Sequence, residues 1–592
     1  MDVSIPDFLT PANRRLLEPR LDFERRLELA PDRIKLPWWL RSCTVDVLIV
    51  VDGLDFSETG FGLATFVRTL LDVAFPVRYR ITLASLRRPT AEQMMDVEPR
   101  IVRRITSFAF DNPIHFTADL YDVVFIFGIA SSLLTRADGA QDADGQNYPT
   151  DRLAPSELRA IAKFEQSGGG LFATGDHGAL GRYMGRSLPR ARNMRLWDST
   201  SASEDRDQVS MGGRWRNDTN RRGDAGSQFD DQSDDIPQPI DPRIYTVQTG
   251  LFRYSFPHPL LCGRNGVIRV MPDHPHEGEC IEPPNPDLTL AEFGLPAQEY
   301  PPALSGAARP LPEVISVNSV LSGTISTSFG EDKAATVPHS FGGICAYDGH
   351  RAGVGRVVTD ATWHHFVNIN LIGDANSTTA AKRLGFLGSP AGQAVLDQVK
   401  DYYRNLALWL ARRSNHDCIN GKLLVAALHH DRVLEAVLTT RDVPIDKVGP
   451  GTLRLIGRHA RDVLGRYASR CESRRLILDL VIPEYLELVP EIDPWRPRLA
   501  EESENVEEEY AADGVGPVTW VDGDQFLDFS LGGALLVISE NIGDLDGQDE
   551  APSEDLVAEL ARKGGGLGLE RAFASLDEGI ASAVRLNRRR KS

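Results

Sequence analysis

A chain of 592 residues is too long for one hydrophobic core and calls for two or three domains. Its apolar fraction of 42% and charged fraction of 25% are those of an ordinary globular protein, and no apolar run approaches the length of a membrane span. The net charge of −19 argues against a nucleic-acid partner, because phosphate contacts need clustered Lys and Arg.

Residues 1–40 are charged and helical in pattern and are expected to form an arm packed on the first domain. Charges stand where a signal peptide needs its apolar stretch, so the expected location is cytoplasmic, with no membrane attachment. Six cysteines, Cys43, Cys262, Cys280, Cys345, Cys418 and Cys471, form no CxxC pair and no disulfide-like framework, and they read as reduced thiols. TVDVLIVVDG (Thr44 to Gly53) is a continuous apolar run ending in Asp and Gly, the pattern of a strand buried on both faces. GFGLATFVRTLLDVAF follows at helical spacing, and VRYRITLAS and YDVVFIFGI read as the second and third strands. LAPSELRAIAKFEQSGGG is a helix with Pro in its first turn, a Ser-x-x-Arg start rather than a full capping box, and a glycine stop. GLFATGDHG is a fourth strand running into a tight turn. Strands alternating with helices imply βαβ units: an α/β fold with a mostly parallel sheet and helices on both faces. Right-handed crossovers align the strand ends at Asp52, Gly128 and Asp176 along one edge, where function is expected.

From about Asp198 to Pro242 the composition turns to Asp, Ser, Gly, Asn and Arg, which reads as a long polar surface insertion. Sheet-like segments resume at GVIRVMPDHPHEGE, EVISVNSVLSG, GGICAYDG and GRVVTDATWHHF, and a helix over Ala391 to Ser414 closes an α/β domain spanning 41–414. Residues 415–498 are mainly helical in pattern, with His429 and His430 expected on a solvated helix face. An acidic linker covers 499–515, and 516–592 reads as a small C-terminal α/β region ending in a frayed basic tail, RLNRRRKS.

Three segments carry candidate chemistry. GGGLFATGDHGALG (Gly168 to Gly181) combines a strand with a glycine-bounded turn that can lift Asp176 or His177 above the sheet and aim free N–H groups at the same spot. Its plainer reading is a tight corner in which Asp176 caps a helix. PDHPHEGECIEP (Pro272 to Pro283) crowds His274, His276 and Glu277 into a proline-stiffened stretch, and alternation puts the two imidazoles on one face. These are ligand types for a divalent transition metal, the candidate cofactor, although the spacing matches no closed zinc motif. The plainer reading is a polar loop. In GRVVTDATWHHF, Trp363, His364 and His365 arrive together at a strand end, and regular alternation turns the two imidazoles to opposite faces, so that one faces a site and the other is buried or orients it. Asp52 and Asp55, in the loop after the first strand, are candidate substrate-binding groups together with Trp363. That loop has no GxGxxG, which speaks against a dinucleotide.

The glycine-rich entry, the His at the turn and the later GRV…HH segment resemble the class I glutamine amidotransferase-like superfamily, within it the ThuA-like branch, over roughly Thr44 to Ser414. The resemblance implies a flavodoxin-like sheet. It does not carry over amidotransferase activity, since the turn reads Thr174-Gly175-Asp176-His177-Gly178, with no cysteine nucleophile.

Two functions stay open on the sequence. One is a hydrolase-like enzyme acting on a small polar molecule, a carbohydrate by family analogy, with Asp176, His177, His364 and His365 as catalytic candidates and His274, His276 and Glu277 as metal ligands. The other is a non-catalytic binding or assembly module that works with a protein partner or a second copy of the chain.

Overall fold

The structure is a computed structural model. It describes residues 37–128, 153–175, 182–197, 238–248, 253–272, 279–304, 308–320, 327–328, 331–332, 339–373, 375, 383–440, 443–483, 495, 523–541 and 554–591. In the N-terminal arm it describes 13, 16, 17, 20, 21 and 23–25. Asp176, His177, His274, His276, Glu277 and the acidic linker lie outside the described residues.

Ten strands form one mixed sheet: β1 (Cys43–Asp52), β2 (Val77–Ser85), β3 (Arg103–Thr106), β4 (Val123–Gly128), β5 (Gly170–Gly175), β6 (Gln238–Pro242), β7 (Val270–Met271), β8 (Glu313–Val320), β9 (His339–Tyr347) and β10 (Val357–Asp360). Their order is β7-β6-β8-β9-β10-β5-β4-β1-β2-β3. From β10 to β3 every pairing is parallel. The other four strands continue the sheet antiparallel. The core β2-β1-β4-β5-β10 has the strand order of flavodoxin-like sheets, with β3 added at the edge. The α/β expectation is met. One boundary moves: Gln238–Pro242, read as the end of the polar insertion, supplies a strand of the sheet.

β4 and β5 are buried at every residue, as the apolar runs require of strands covered on both faces. Side-chain alternation sorts β1 between two cores. Val45, Val47, Ile49 and Val51 join one cluster with helix α1 (Ala64–Leu71), whereas Leu48 and Val50 join the cluster around helix α2 (Pro155–Gln166). The start of α2 is capped by Glu157, whose carboxylate accepts from the Ala154 N–H at 2.9 Å and the Phe110 N–H at 3.2 Å.

Helix α3 (Pro390–Leu410) opens with the Ser389 hydroxyl accepting from the Gly392 N–H at 3.0 Å and packs on the α1 face. After it come α4 (Arg413–Leu428), α5 (Asp431–Leu438), α6 (Pro450–Tyr467), α7 (Arg470–Leu476), α8 (Gly523–Glu540) and α9 (Glu554–Lys591). The core on the α1 face runs without interruption into α4, α6 and α8.

The expectation of a mainly helical C-terminal region is met, but the reading of 516–592 as a small α/β region is corrected: among its described residues there are two helices and no strand, and the basic tail continues α9. The segment FLDFSLGGALLVISE is apolar all round because α8 is enclosed by its neighbours, which removes the periodicity that marks a surface helix. Close approach is made with glycine. A Cβ on Gly457 of α6 would stand 1.7 Å from the Asp528 carbonyl oxygen of α8, and one on Gly533 of α8 would stand 2.2 Å from the Gly564 oxygen of α9. Among the described residues, no helix is long and apolar enough to cross a membrane.

The cysteine expectation is also corrected for two of the six. Cys43, at the start of β1, and Cys418, on α4, form a disulfide that fastens the helical region to the sheet. Cys262, Cys280, Cys345 and Cys471 are buried free thiols.

Candidate functional site

The rim follows from register. Asp52 pairs with Gly128, and Gly128 with Gly175, so the tips of β1, β4 and β5 stand in one row. Thr359 of β10 pairs with Ala173, which sets Asp360 beside Thr174, and the Thr174 hydroxyl donates to the Asp360 carbonyl at 3.0 Å. Asp176 and His177 follow Gly175 directly in the chain. Asp52 and Asp360 mark the two ends of this stretch, three strand spacings apart, or about 14 Å. They cannot act on one atom together.

At the β1 end, Asp52 is fully buried, and no described group donates a well-directed hydrogen bond to either carboxylate oxygen. Arg87 brings its Nε to 3.4 Å from Oδ1, a charge contact from a half-exposed side chain. Burial pushes the Asp52 carboxyl up to about 6 despite the opposing effect of the guanidinium. Asp55 is engaged otherwise. Its Oδ1 accepts from the Ser57 N–H at 2.8 Å and the Ser57 hydroxyl at 2.6 Å, and its Oδ2 from the Gln93 amide at 2.9 Å. It shapes the loop after β1, in the manner of an Asx turn.

At the other end, the expected regular strand stops at Asp360, and Trp363–His365 form a 3-10 turn. The Thr362 hydroxyl caps that turn by accepting from the His364 N–H at 3.1 Å. The two imidazoles therefore separate through a tight turn rather than by strand alternation. His365 is fully buried, and its Nδ1 lies 2.9 and 3.1 Å from the two oxygens of Asp360, which is itself fully buried. Asp360 also accepts from the Tyr402 hydroxyl at 2.9 Å and the Thr362 N–H at 3.2 Å, and the Tyr403 hydroxyl donates to the His365 carbonyl. A carboxylate can only accept, so the His365 tautomer is held with its proton on Nδ1. His364 Nδ1 is 3.0 Å from Asn370 Oδ1.

Packing fixes this turn. Phe366 sits among Phe127, Phe172 and Tyr403, with ring centroids 5.1 to 5.2 Å away. Trp363 is buried and stacks at 5.6 Å on the half-exposed Phe61 from the loop after β1. Asn368 ties the same two segments together, its carbonyl accepting from the Thr65 N–H and its amide donating to the Ser57 carbonyl. Arg195, buried, donates to the carbonyls of Gly175 and Ala361 at 2.8 Å each, clamping the tips of β5 and β10. The loop after β1 and the turn after β10 thus close on each other over the α1 face.

Of the residues singled out in the sequence, Asp52, Trp363, His364 and His365 belong to this rim. Asp360, Tyr402, Arg195 and Asn368 were missed as site residues. Asp360 had a local signal in its place before the histidines. The other three act through contacts with residues far off in sequence and left none. Among the described residues, no group of three or more His, Cys, Asp or Glu side chains could hold a metal ion.

The arrangement can transfer a proton at Asp52 and can hold one imidazole in a fixed tautomer. No protein family, curated protein or solved structure matches this chain, so its function is read from these residues.

Proposed function

We propose that the carboxyl-end rim of the parallel strands is the active site of a hydrolase-like enzyme acting on a small polar substrate, with a carbohydrate the class suggested by the ThuA-like resemblance. Asp52 takes the role of proton donor and acceptor. The observation that carries this reading is its fully buried carboxyl group, without a directed hydrogen bond from any described group and with a pKa near 6. Arg87 is its charge partner at 3.4 Å, but buried carboxyls that lack a directed hydrogen bond are rare, and shifted carboxyls gather at functional sites. Asp360 and Tyr402 act as positioning residues through His365. Asp176 and His177 extend the proposal on chain connectivity, since they follow the tip of β5. The metal proposal for His274, His276 and Glu277 rests on ligand chemistry alone.

The test is turnover of chromogenic nitrophenyl glycosides and esters by the wild type and by Asp52→Asn, His177→Ala and His364→Ala. The expected result is hydrolysis that Asp52→Asn slows by about a hundredfold or more, the low end of general acid–base catalysis. Wild-type turnover retained by all three variants overturns it.

The second reading is a non-catalytic binding or assembly module, with a protein partner or a second copy. It is favoured by the structural employment of Asp55 in its loop and of His365 against Asp360. Light scattering that gives a stoichiometric assembly, together with no turnover on any substrate of the panel, supports it. As for location, the Cys43–Cys418 disulfide weighs toward an oxidising compartment rather than the cytoplasm.

A further inference from the structure

We propose that Arg87, at the lip of the rim, anchors an oxyanion group of the substrate, a phosphate or a carboxylate, beside Asp52. The inference rests on the rim as the active site and adds the charge class of its substrate. Register puts the arginine there. Val51 of β1 pairs with Ser85 of β2, and the Leu86 N–H donates to the Val51 carbonyl at 3.1 Å, so Arg87 leaves β2 alongside the tip of β1. Its backbone is held from both sides: the Arg87 N–H donates to the Ser85 hydroxyl at 3.2 Å, and its carbonyl accepts from the Ser107 N–H at 2.9 Å. Ser107, just past β3, keeps a left-handed φ of 52°. A non-glycine residue stays in that region only where its surroundings hold it, and such residues gather at ligand sites.

The guanidinium divides between two neighbours. Its Nε is buried and lies 3.4 Å from Asp52 Oδ1. The side chain as a whole is 41% exposed, and among the described residues neither Nη group has a hydrogen-bond partner, while Nε alone is closed to solvent. A planar pair of open N–H donors matches the two oxygens of a phosphate or a carboxylate. Charge agrees. Nearby arginines are paired with carboxylates, Arg68 with Glu58, Arg80 with Asp46, and Arg100 with Asp72 and Glu98. Arg88, exposed in the same loop as Arg87, donates from Nε to the Ser107 hydroxyl at 3.0 Å and has no carboxylate partner among the described residues. On a chain of net charge −19 the two arginines make a local positive lip.

The anion and Asp52 are coupled through the guanidinium they share. An oxyanion on the Nη groups stands within about 8 Å of the Asp52 carboxyl, with no need to enter its buried position. Negative charges that close repel, so the anion binds tighter where Asp52 is protonated, and once docked it holds Asp52 in the proton-donor form. Of the described charged groups, Arg87 is the one that acts on Asp52. The neighbouring tip of β4 is Gly128, and Asp176 and His177 follow the tip of β5 beyond it.

The test is calorimetric titration of the full-length protein, at constant ionic strength, with sulfate, whose charge does not change between pH 5 and pH 8. The expected result is saturable one-site binding, about tenfold tighter at pH 5 than at pH 8. Arg87→Gln should weaken it about tenfold or more at pH 5, and Asp52→Asn should bind sulfate equally at both pH values. No saturable binding, unchanged binding in Arg87→Gln, or a pH dependence that survives in Asp52→Asn each overturns the proposal. Glycerol phosphate against inorganic phosphate, and glycerate against acetate, separate a substrate group from a free ion. Tighter binding of an organic member supports a substrate group, and equal affinity in both pairs marks a free-ion site and overturns it. Hydrolysis that Asp52→Asn abolishes, with no sulfate binding by the wild type, overturns the charge class alone. Sulfate binding with hydrolysis intact in Asp52→Asn overturns the catalytic reading instead. The wild type and Asp52→Asn decide the matter even if Arg87→Gln does not fold.

Discussion

Asp360 grips the His365 imidazole with both carboxylate oxygens, 2.9 and 3.1 Å from Nδ1, in a place where neither side chain reaches solvent. The carboxylate depends on that imidazole, on the Tyr402 hydroxyl and on the Thr362 N–H for its hydrogen bonds. Unequal costs follow. Tyr402→Phe removes one neutral donor and should lower unfolding free energy by about 1–2 kcal/mol. His365→Ala strands a buried carboxylate and should cost about 3–5 kcal/mol. Equilibrium denaturant unfolding measures both, and equal losses would show that the imidazole is not the principal support of Asp360.

Asp52 makes opposite predictions for stability and for turnover. Its carboxyl is raised from 3.8 to about 6 by burial, so between those values the folded state keeps a proton that the unfolded state has released. Stability therefore falls as pH rises through that window and levels off above it. Asp52→Asn removes the fall, which amounts to about 3 kcal/mol for a shift of this size. Unfolding followed from pH 4 to 8 should show the variant gaining on the wild type as pH rises, while hydrolysis is lost. A variant that loses stability at pH 8 would mean that the carboxylate is paired and structural.

The Cys43–Cys418 disulfide joins residues 375 apart in sequence. Peptide mapping without reductant should recover the two cysteines as one linked peptide. Reductant should lower wild-type stability by about 2–4 kcal/mol and leave Cys43→Ser unaffected, because cross-linking acts largely on the unfolded ensemble. Equal sensitivity of the two proteins to reductant would place the effect at other thiols.

Glycines on the C-terminal helices divide by what a methyl group would meet. Gly457→Ala and Gly533→Ala drive a Cβ into the backbone of a crossing helix, at 1.7 and 2.2 Å, and should each cost about 3 kcal/mol or more. Gly579→Ala, on the exposed length of α9 with nothing within 4 Å among the described residues, should raise stability by up to about 1 kcal/mol through helix propensity. Thermal melts of the three variants test the assignment, and a stabilised Gly533→Ala would refute the close crossing of α8 and α9.

The sequence by itself determined the parallel core and the edge along which its strand tips align. β1 and β4 were legible because strands covered on both faces must be apolar at nearly every position. The alignment of Asp52 with Gly128 followed from the handedness of βαβ crossovers. Tertiary structure decided everything that depends on what packs against a segment. α8 was mistaken for part of an α/β region because a wholly enclosed helix has no periodicity to separate it from a strand. Gln238–Pro242 was assigned to the polar insertion because composition says nothing about a backbone that finds β8. The disulfide needed two distant Cα atoms brought together. Asp360, Tyr402 and His365 became one network only when α3 crossed the end of β10. His429 looked solvated because the pattern of a helix records which face is apolar, whereas its neighbour Trp39 arrives from the other end of the chain and buries it.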